Sequence, residues 1–464
     1  MSNMEVQIIK TNKGKVKIAV DNFLYYRSKD LAAGIRWECC RRQHDRCKAA
    51  VKTNFNMTNP VLLGDHTHNS HPSEIEIAKC RQEMKERAKN SREKPKQIVA
   101  SAIARLDEDA RSIIGSVDTL RRDIQRHQRS ARPTDPTSLS SLVIPEDFKV
   151  TNDEDPRQFL IHDSGNGVRQ RLVIFATESS LRVLASASTW FMDGNFSMAP
   201  VIFSQIYVIR VPFSESAITC VYSFLPGKGQ VVYEELFRAV MTKCENLGFN
   251  LNPTIIITDF EMAVMQACRT VFGAQIQNHG CFFHLTQATW RKVTSLGLIE
   301  IYKQREDIKL FCGMMDGLAF LPPADIPVGM EFLKGNVPEE LEELLTYFDT
   351  TYVSGTAREI QPPAVHPHLP LPPVVTIRTP PLFPPPVWNV REITLNDGHR
   401  TNNICEAWNI GYQNLVGHKH PSLWSSIEAI KMDEALCHTA ILQNSIGIPL
   451  KKKSSHELSN YKED

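Results

Sequence analysis

Long apolar runs are missing from this sequence of 464 residues. No stretch of about 18 uncharged apolar residues occurs, so we expect no membrane-spanning helix. The N-terminal residues MSNMEVQIIKTNKGK also lack an apolar segment, and we expect no secretory signal there. C-x2–4-C knuckles are absent as well. The 11 cysteines are irregularly spaced, which favours reduced thiols and metal ligation over a disulfide framework.

Charge is unevenly distributed, although the net charge is only +1. Residues 1–100 hold 20 Lys or Arg against 11 Asp or Glu, whereas the rest of the chain holds 33 against 41. A basic N-terminal part on an acidic body is typical of a polyanion-binding module joined to a globular domain. A solvated lysine-rich surface gives the same balance, so charge alone leaves both interpretations open.

The N-terminal third divides into a β-prone segment and a helical one. Residues 1–72 contain β-prone runs at 22–26 and 35–39 and predict a small β-rich module. From Ser73 to about Ser130, apolar residues recur every three to four positions, which predicts a helical connector. The following residues, ARPTDPTS, are typical of a linker.

Residues 158–290 carry the clearest fold pattern. The predicted strands are 171–177, 189–196, 203–211, 217–225, 254–260 and 276–285, and the predicted helices are 231–248 and 261–273. Several antiparallel strands followed by alternating helices and strands predict a mixed α/β sheet with buried central strands.

The C-terminal part has a different composition. Residues 290–350 and 401–418 have helical spacing, whereas residues 361–386 contain 11 prolines and predict an extended loop. Residues 451–464 are polar and predict a disordered tail.

Two cysteines and two histidines stand out in the β-rich module. Cys39, Cys47, His66 and His68 follow the pattern C-x7-C-x18-H-x-H. Two thiolates and two imidazoles satisfy a tetrahedral zinc ion, and a module this small gains folding free energy from such a metal. This is not the usual zinc knuckle spacing, so four unrelated polar residues remain the alternative.

The residues FLYYRSKDLAAGIRWECCRRQHDRCKAAV, followed by GDHTH, resemble the FLYWCH zinc finger. The resemblance implies a zinc-binding module that contacts DNA or protein, with the four residues above as ligands and Cys40 or His71 as alternatives. It also implies phosphate contacts by seven basic residues, unless these only solvate the module. They are Arg27, Lys29, Arg36, Arg41, Arg42, Arg46 and Lys48.

Three acids occur where a carboxylate needs an explanation. Asp193 lies inside an apolar strand and Asp259 ends another, and a buried charge is costly unless it is paired or metal-bound. Glu406 lies on the polar stripe of helix 401–418, which faces either a site or water. Converging carboxylates are the ligands of the Mg²⁺ ions that serve phosphodiester strand transfer.

The motifs DGNF, TDFE, CFFHLTQATWRK and TNNICEAWN occur in this order within residues 158–435 and resemble Mutator-like transposases. The resemblance implies an RNase H-like catalytic core with a helical insertion before the last acid. It implies that Asp193, Asp259 and Glu406 bind Mg²⁺ or Mn²⁺, with alternatives for the third acid at Glu261, Asp397 and Glu428. Cys281 and His284 form a C-x2-H pair, which is also a signature of this superfamily. They either have a structural role or orient a phosphate or a catalytic carboxylate.

We therefore expect a zinc finger at residues 10–72, a helical connector and linker at 73–138 and an RNase H-like transposase domain at 158–435. Within the last, we expect a helical insertion at about 290–350. The expected function is Asp-Asp-Glu cleavage and strand transfer of DNA by a homo-oligomer in the nucleus, without membrane contact. One alternative is a domesticated, non-catalytic DNA-binding protein of transcription or chromatin, which the unusually long proline-rich loop favours. A nuclease acting on RNA–DNA hybrids would leave the finger unexplained.

Overall fold

The computed structural model describes residues 5–448, except 11–14, 92, 131, 169, 215, 361–373 and 397. The chain divides into two compact units, Met1–Thr134 and Asp135–Asp464. The predicted polar tail, half of the proline-rich loop and Asp397 lie outside the described residues. Within the described part, no helix is both long and apolar enough to cross a bilayer.

The described strands of the first unit form one antiparallel sheet in chain order. They are β1 (Gln7–Lys10), β2 (Val16–Val20), β3 (Phe23–Leu31), β4 (Gly34–Cys39), β5 (Ala50–Thr53) and β6 (Val61–Leu63). One face of this sheet buries Tyr25, Trp37 and Val51 completely, as expected for alternating side chains. The Trp37 indole donates a hydrogen bond to Thr53 Oγ1 at 2.9 Å, so its polar group is satisfied inside the core.

Among the described residues of the first unit, four helices follow the sheet. They are α1 (Pro72–Asn90), α2 (Pro95–Ile103), α3 (Glu108–Ile113) and α4 (Val117–Ser130). Proline in the first turn of α1 and α2 suits those positions, because no backbone N–H is needed there. Their apolar faces form a core of their own, and Ile75 of α1 also packs on Ile9 and Ala19 of the sheet. Helices thus occupy the segment that was predicted to be helical.

The second unit is built on a mixed sheet. Its described strands are β7 (Leu160–Asp163), β8 (Val173–Phe175), β9 (Thr189–Asn195), β10 (Gln205–Phe213), β11 (Ser216–Leu225), β12 (Ile255–Thr258) and β13 (Gln277–Gly280). Their order is β13-β12-β9-β10-β11-β8-β7. Strand β12 is parallel to both neighbours, and the other pairs are antiparallel. The predicted mixed α/β fold is confirmed.

Helices cover both faces of this sheet. The described ones are α5 (Glu178–Ser186), α6 (Gln230–Asn246), α7 (Met262–Phe272), α8 (Phe282–Ser295), α9 (Ile299–Gln304), α10 (Glu306–Gly317), α11 (Ile326–Gly335), α12 (Glu342–Phe348), α13 (Pro385–Trp388), α14 (Arg391–Leu395), α15 (Asn403–Val416) and α16 (Leu423–Ser445). Trp190 and Met192 of β9 join a core with α6 and α7, whereas Phe191 joins a core with α15 and α16. Odd-numbered residues of β9 therefore face α15.

Two predictions about local structure were wrong. The strand expected at 276–285 ends at Gly280, because Leu285, Thr289 and Val293 recur every four residues and are buried on one face of α8. The loop expected at 361–386 contains β15 (Val375–Thr379), which pairs with β14 (Thr356–Ile360). Helix α13 also begins at the end of this segment, where prolines occupy its first turn, and its last residue, Trp388, is fully buried.

Candidate functional site

The four predicted zinc ligands meet at one end of the finger sheet. Ligand atoms of Cys39, Cys47, His66 and His68 all lie within 4.8 Å of one another. Cys39 Sγ is 3.2 Å from His68 Nε2, Cys47 Sγ is 3.4 Å from His66 Nδ1, and the two histidine nitrogens are 3.3 Å apart. Cys40 and His71, the alternative ligands, are not part of this cluster.

These separations fit a tetrahedral zinc ion. Ordinary zinc bond lengths place a thiolate about 3.6 Å from an imidazole nitrogen, and two such nitrogens about 3.3 Å apart. The outward nitrogens are also engaged, His66 Nε2 with Tyr25 Oη at 2.7 Å and His68 Nδ1 with the Asn69 carbonyl at 2.8 Å. Such outer hydrogen bonds fix the ring that presents its other nitrogen to a metal. Donor types, distances and outer contacts therefore all fit Zn²⁺.

The seven basic residues predicted to contact phosphate differ in whether they form salt bridges with carboxylates. Arg27 pairs with Asp30, Arg36 and Arg42 approach Glu38, and Arg41 pairs with both Asp45 and Glu74. The other three make no salt bridge among the described residues, and all three are exposed. They are Lys29, Arg46 and Lys48.

The first two acids of the core lie side by side because of the strand register. Phe191 of β9 is paired with Ile257 of the parallel strand β12. Asp193 and Asp259 each follow two residues later, so both side chains point to the face of the sheet that α15 covers. Burial raises the pKa of Asp193, and the nearby Asp259 raises it further.

Asp193 is held by hydrogen bonds to both carboxylate oxygens. The Gly194 backbone N–H donates to Oδ1 at 2.8 Å, and Asn409 Nδ2 on α15 donates to Oδ2 at 2.6 Å. Asn195 Nδ2 in turn donates to Asn409 Oδ1 at 3.0 Å, which fixes the amide orientation. Burial and the neighbouring Asp259 nevertheless raise the pKa of Asp193 to about 6, because two close carboxylates resist ionising together.

His284 and Cys281 lie beside the second acid. His284 Nδ1 is 3.0 Å from Asp259 Oδ1, within ion-pair distance although the contact lacks hydrogen-bond geometry. Burial by itself would lower the pKa of His284, but Asp259 and the Cys281 thiol raise it to about 10. Cys281 Sγ also accepts the backbone N–H of Asn402 at 3.1 Å. The C-x2-H pair thus links the second strand end to the start of α15.

Glu406 faces the same site from α15 rather than facing water. It lies near Cys281 and His284, and one ligand atom of each falls within 4.8 Å of the others. Burial raises the pKa of Glu406, His284 opposes this effect, and Asp259 adds to it. Glu406 Oε1 is buried without a hydrogen-bond donor among the described residues, whereas Asp259 Oδ1 lies 3.0 Å from His284 Nδ1. A carboxylate oxygen without a donor, such as Glu406 Oε1, fits a cation ligand.

The alternatives for the third acid have other surroundings. The carboxylate of Glu261 accepts hydrogen bonds from Tyr233 Oη on α6, both at 3.1 Å. Glu428 lies on α16 and belongs to none of the metal-ligand groups among the described residues. Asp397 falls outside the described residues.

Sequence reasoning missed Asn409 as a site residue. It follows Glu406 by three residues on one helix, so both side chains project from the same face of α15. Its position on the polar stripe of the helix was the available signal. The polar stripe alone does not identify the strand against which it packs.

Two family profiles match the chain. The FLYWCH zinc finger domain matches residues 8–69, which include all four zinc-ligand candidates. The MULE transposase domain matches residues 189–288, which include β9 to β13 with Asp193, Asp259 and the C-x2-H pair. No curated protein sequence matches. This chain therefore carries a FLYWCH zinc finger followed by a MULE transposase domain.

Proposed function

We propose that this transposase-derived protein binds DNA through its finger, cleaves it with divalent metal and transfers the cut strand. Asp193, Asp259 and Glu406 would hold Mg²⁺ or Mn²⁺. When bound, these ions supply an activated oxygen nucleophile and neutralise charge on the leaving oxygen. The observation that carries the proposal is the placement of Asp193 on β9 and of Asp259 directly after the parallel strand β12, beside the helix that bears Glu406.

The chain's own residues would pre-position this site. Asn409 and the Gly194 N–H orient the Asp193 carboxylate, and His284 Nδ1 lies 3.0 Å from the Asp259 carboxylate. Such outer contacts to ligating carboxylates keep their oxygens aimed at one point. Glu406 Oε1, which has no hydrogen-bond donor among the described residues, remains available for a metal.

The finger would bring this core to its substrate. Exposed cations such as Lys29, Arg46 and Lys48 suit phosphate contacts, which position a protein on DNA without reading its sequence. We therefore propose DNA as the partner and the nucleus as the compartment. We further propose that the protein acts as a homo-oligomer, because strand transfer involves two element ends.

Metal-dependent cleavage by the purified chain tests this proposal. The substrate is duplex DNA carrying the genomic ends that flank the gene, incubated with Mn²⁺ or Mg²⁺. We expect Asp193→Asn, Asp259→Asn and Glu406→Gln to reduce cleavage to background while DNA affinity is retained. Glu261→Gln is the matched control and should cleave like the wild type. Equal cleavage by Asp193→Asn and the wild type would refute the assignment.

A second candidate is a domesticated DNA-binding protein without catalysis. It is favoured by one observation: among the described residues, the three acids do not form a single group within 4.8 Å. Glu406 instead lies beside Cys281 and His284. Tight, zinc-dependent DNA binding without cleavage under either metal would support this second function.

A further inference from the structure

A groove of about 1140 Å³ lies between the finger sheet and helix α1. Lys17 and Lys29 line it on the sheet side, and Arg81 and Lys85 line it on the helix side. Helix α1 begins after the residues that match the FLYWCH profile, so one wall of this groove lies outside the finger itself.

The sheet wall is part of a wider basic face. Lys29 is paired with Arg36 across β3 and β4, and Arg36 is paired with Lys52 across β4 and β5. Residues directly opposite each other share one face of a sheet, and here it is the face opposite to Trp37. A row of three cations therefore crosses the sheet from the edge of the groove, and its middle member, Arg36, lies 3.8 Å from Glu38 on the same face.

The positive charge of the groove is largely uncompensated. Its lining includes seven Lys or Arg side chains against two carboxylates. Both carboxylates already have partners, Asp30 with Arg27 at 2.7 Å and Glu74 with an arginine outside the groove at 2.5 Å. Lys17, Lys29 and Lys85 make no salt bridge to a carboxylate within the described part of the chain.

The helix wall of the groove is anchored by a hydrogen bond and carries several neighbouring positive charges. Arg81 Nη2 donates to the Ile114 carbonyl at 2.5 Å, which ties α1 to the end of α3. Burial lowers the pKa of Lys85, the positive charges of Arg81 and Lys89 lower it further, and Asp123 opposes them. Like charges held this close favour a bound anion that would relieve their repulsion.

We infer that this groove binds the phosphate backbone of duplex DNA, with α1 as a second wall beside the finger. The inference rests on the proposed DNA-binding function and extends it to a helix outside the finger. The row of cations across three β-strands suits successive phosphates of one DNA strand. Contacts of this kind would strengthen binding and fix its register without selecting a sequence.

The salt dependence of binding tests the inference in the full-length, zinc-loaded protein. Anisotropy of a fluorescent duplex DNA of random sequence gives the affinity over a salt series. We expect the double variant Lys29→Gln, Lys85→Gln to bind more weakly, with a slope of log affinity against log salt smaller by about two. Lys79→Gln is the matched control, because Lys79 lies on α1 but lines a different surface depression.

Each outcome separates the groove from the function it extends. If the wild type binds DNA and the double variant has the same salt slope as the wild type, the groove does not bind the DNA backbone. The proposal of DNA binding is then unaffected. If Lys29→Gln alone reduces the salt slope and Lys85→Gln alone does not, α1 does not contact the DNA. That result overturns the inference. Tighter binding of duplex RNA than of duplex DNA at the same salt overturns the choice of DNA. A zinc-loaded wild type that binds no DNA refutes both proposals.

Discussion

The carboxylate of Asp193 is held from two directions, by its own strand and by a helix 216 residues later in the chain. That later contact, from Asn409, is short and is supported by Asn195. Neither asparagine carries charge, so both can approach the acid pair without changing the net charge of the site. At the residue scale, the orientation of the Asp193 carboxylate therefore depends on uncharged hydrogen-bond donors.

Asn409→Ala should weaken metal-dependent cleavage by roughly 10- to 100-fold, because it removes a donor that aims a ligating carboxylate. Much of this loss should appear as a higher Mn²⁺ concentration for half-maximal cleavage. Gln413→Ala, an exposed position one turn later on α15, should behave like the wild type. An unchanged Mn²⁺ requirement in Asn409→Ala would show that Asp193 does not need this contact.

Asp316 offers a prediction about stability. Burial raises the pKa of Asp316 to about 6, against the opposing effect of hydrogen bonding to Thr289. The folded state thus holds this proton more tightly than the unfolded state, and the resulting stability is lost as pH rises from about 4 through about 6. Asp316→Asn should therefore raise the free energy of unfolding at pH 7.5 by about 3 kcal/mol.

Thermal unfolding at two pH values checks this prediction. The Asn variant should have a higher melting temperature than the wild type at pH 7.5 and a similar one at pH 4. Asp325→Asn, an exposed acid in the same helical region, is the control and should show no such difference. A variant that is less stable at both pH values would mean that the ionised carboxylate is better accommodated than its burial indicates.

At the scale of elements, the finger sheet and its metal cluster depend on each other. Cys39 ends β4, and Cys47 lies in the same small core as Trp37. Phe23 of β3 stacks on His66, with ring centroids 3.5 Å apart. Loss of the metal should therefore release packing across the sheet as well as the loop that carries the histidines.

Cys47→Ser should abolish tight metal binding and unfold the finger, since zinc supplies on the order of 10 kcal/mol in comparable modules. Cys40→Ser is the matched control and should retain one zinc per chain, because Cys40 lies outside the cluster. Zinc content after dialysis and the Co²⁺ absorption spectrum measure both. If Cys40→Ser lost its zinc and Cys47→Ser retained it, Cys40 rather than Cys47 would be the zinc ligand.

Strands were predictable from sequence where apolar character was continuous, as in β10, β11 and β12. The boundary at Gly280 was not, because Cys281, Phe282 and Phe283 suit a strand as well as a helix. The burial of Leu285, Thr289 and Val293 on one face favours α8 instead. The acids could be named as residue types at strand ends, but the parallel pairing that puts Asp193 beside Asp259 is a tertiary fact. The Asn409 contact depends on the same unseen packing.

At the scale of the whole molecule, each unit has the apolar core that independent folding requires. The first unit buries one cluster within the finger sheet and another among α1 to α4. The second unit has two large cores, one on each face of its sheet. The division between the units falls at Thr134 and Asp135, within the segment whose composition predicts a linker.

Residues 1–134 expressed alone should fold with zinc and bind duplex DNA with the salt slope of the full chain. Residues 135–464 alone should bind DNA more weakly, because their sequence is net acidic whereas the first hundred residues are strongly basic. Anisotropy titrations of both fragments measure this. Equal affinity of the two fragments would place much of the phosphate contact on the core instead.

The distance along the chain between Asp193 and Asn409 also sets a timetable for synthesis. A ribosome adding about 5–20 residues per second needs roughly 10–40 s to cover those 216 residues. The finger and connector leave the ribosome well before α15 exists. For almost all of that interval the nascent chain carries the finger but lacks Glu406. On the assignment that we propose, the three-acid site can therefore assemble only after α15 has been synthesised.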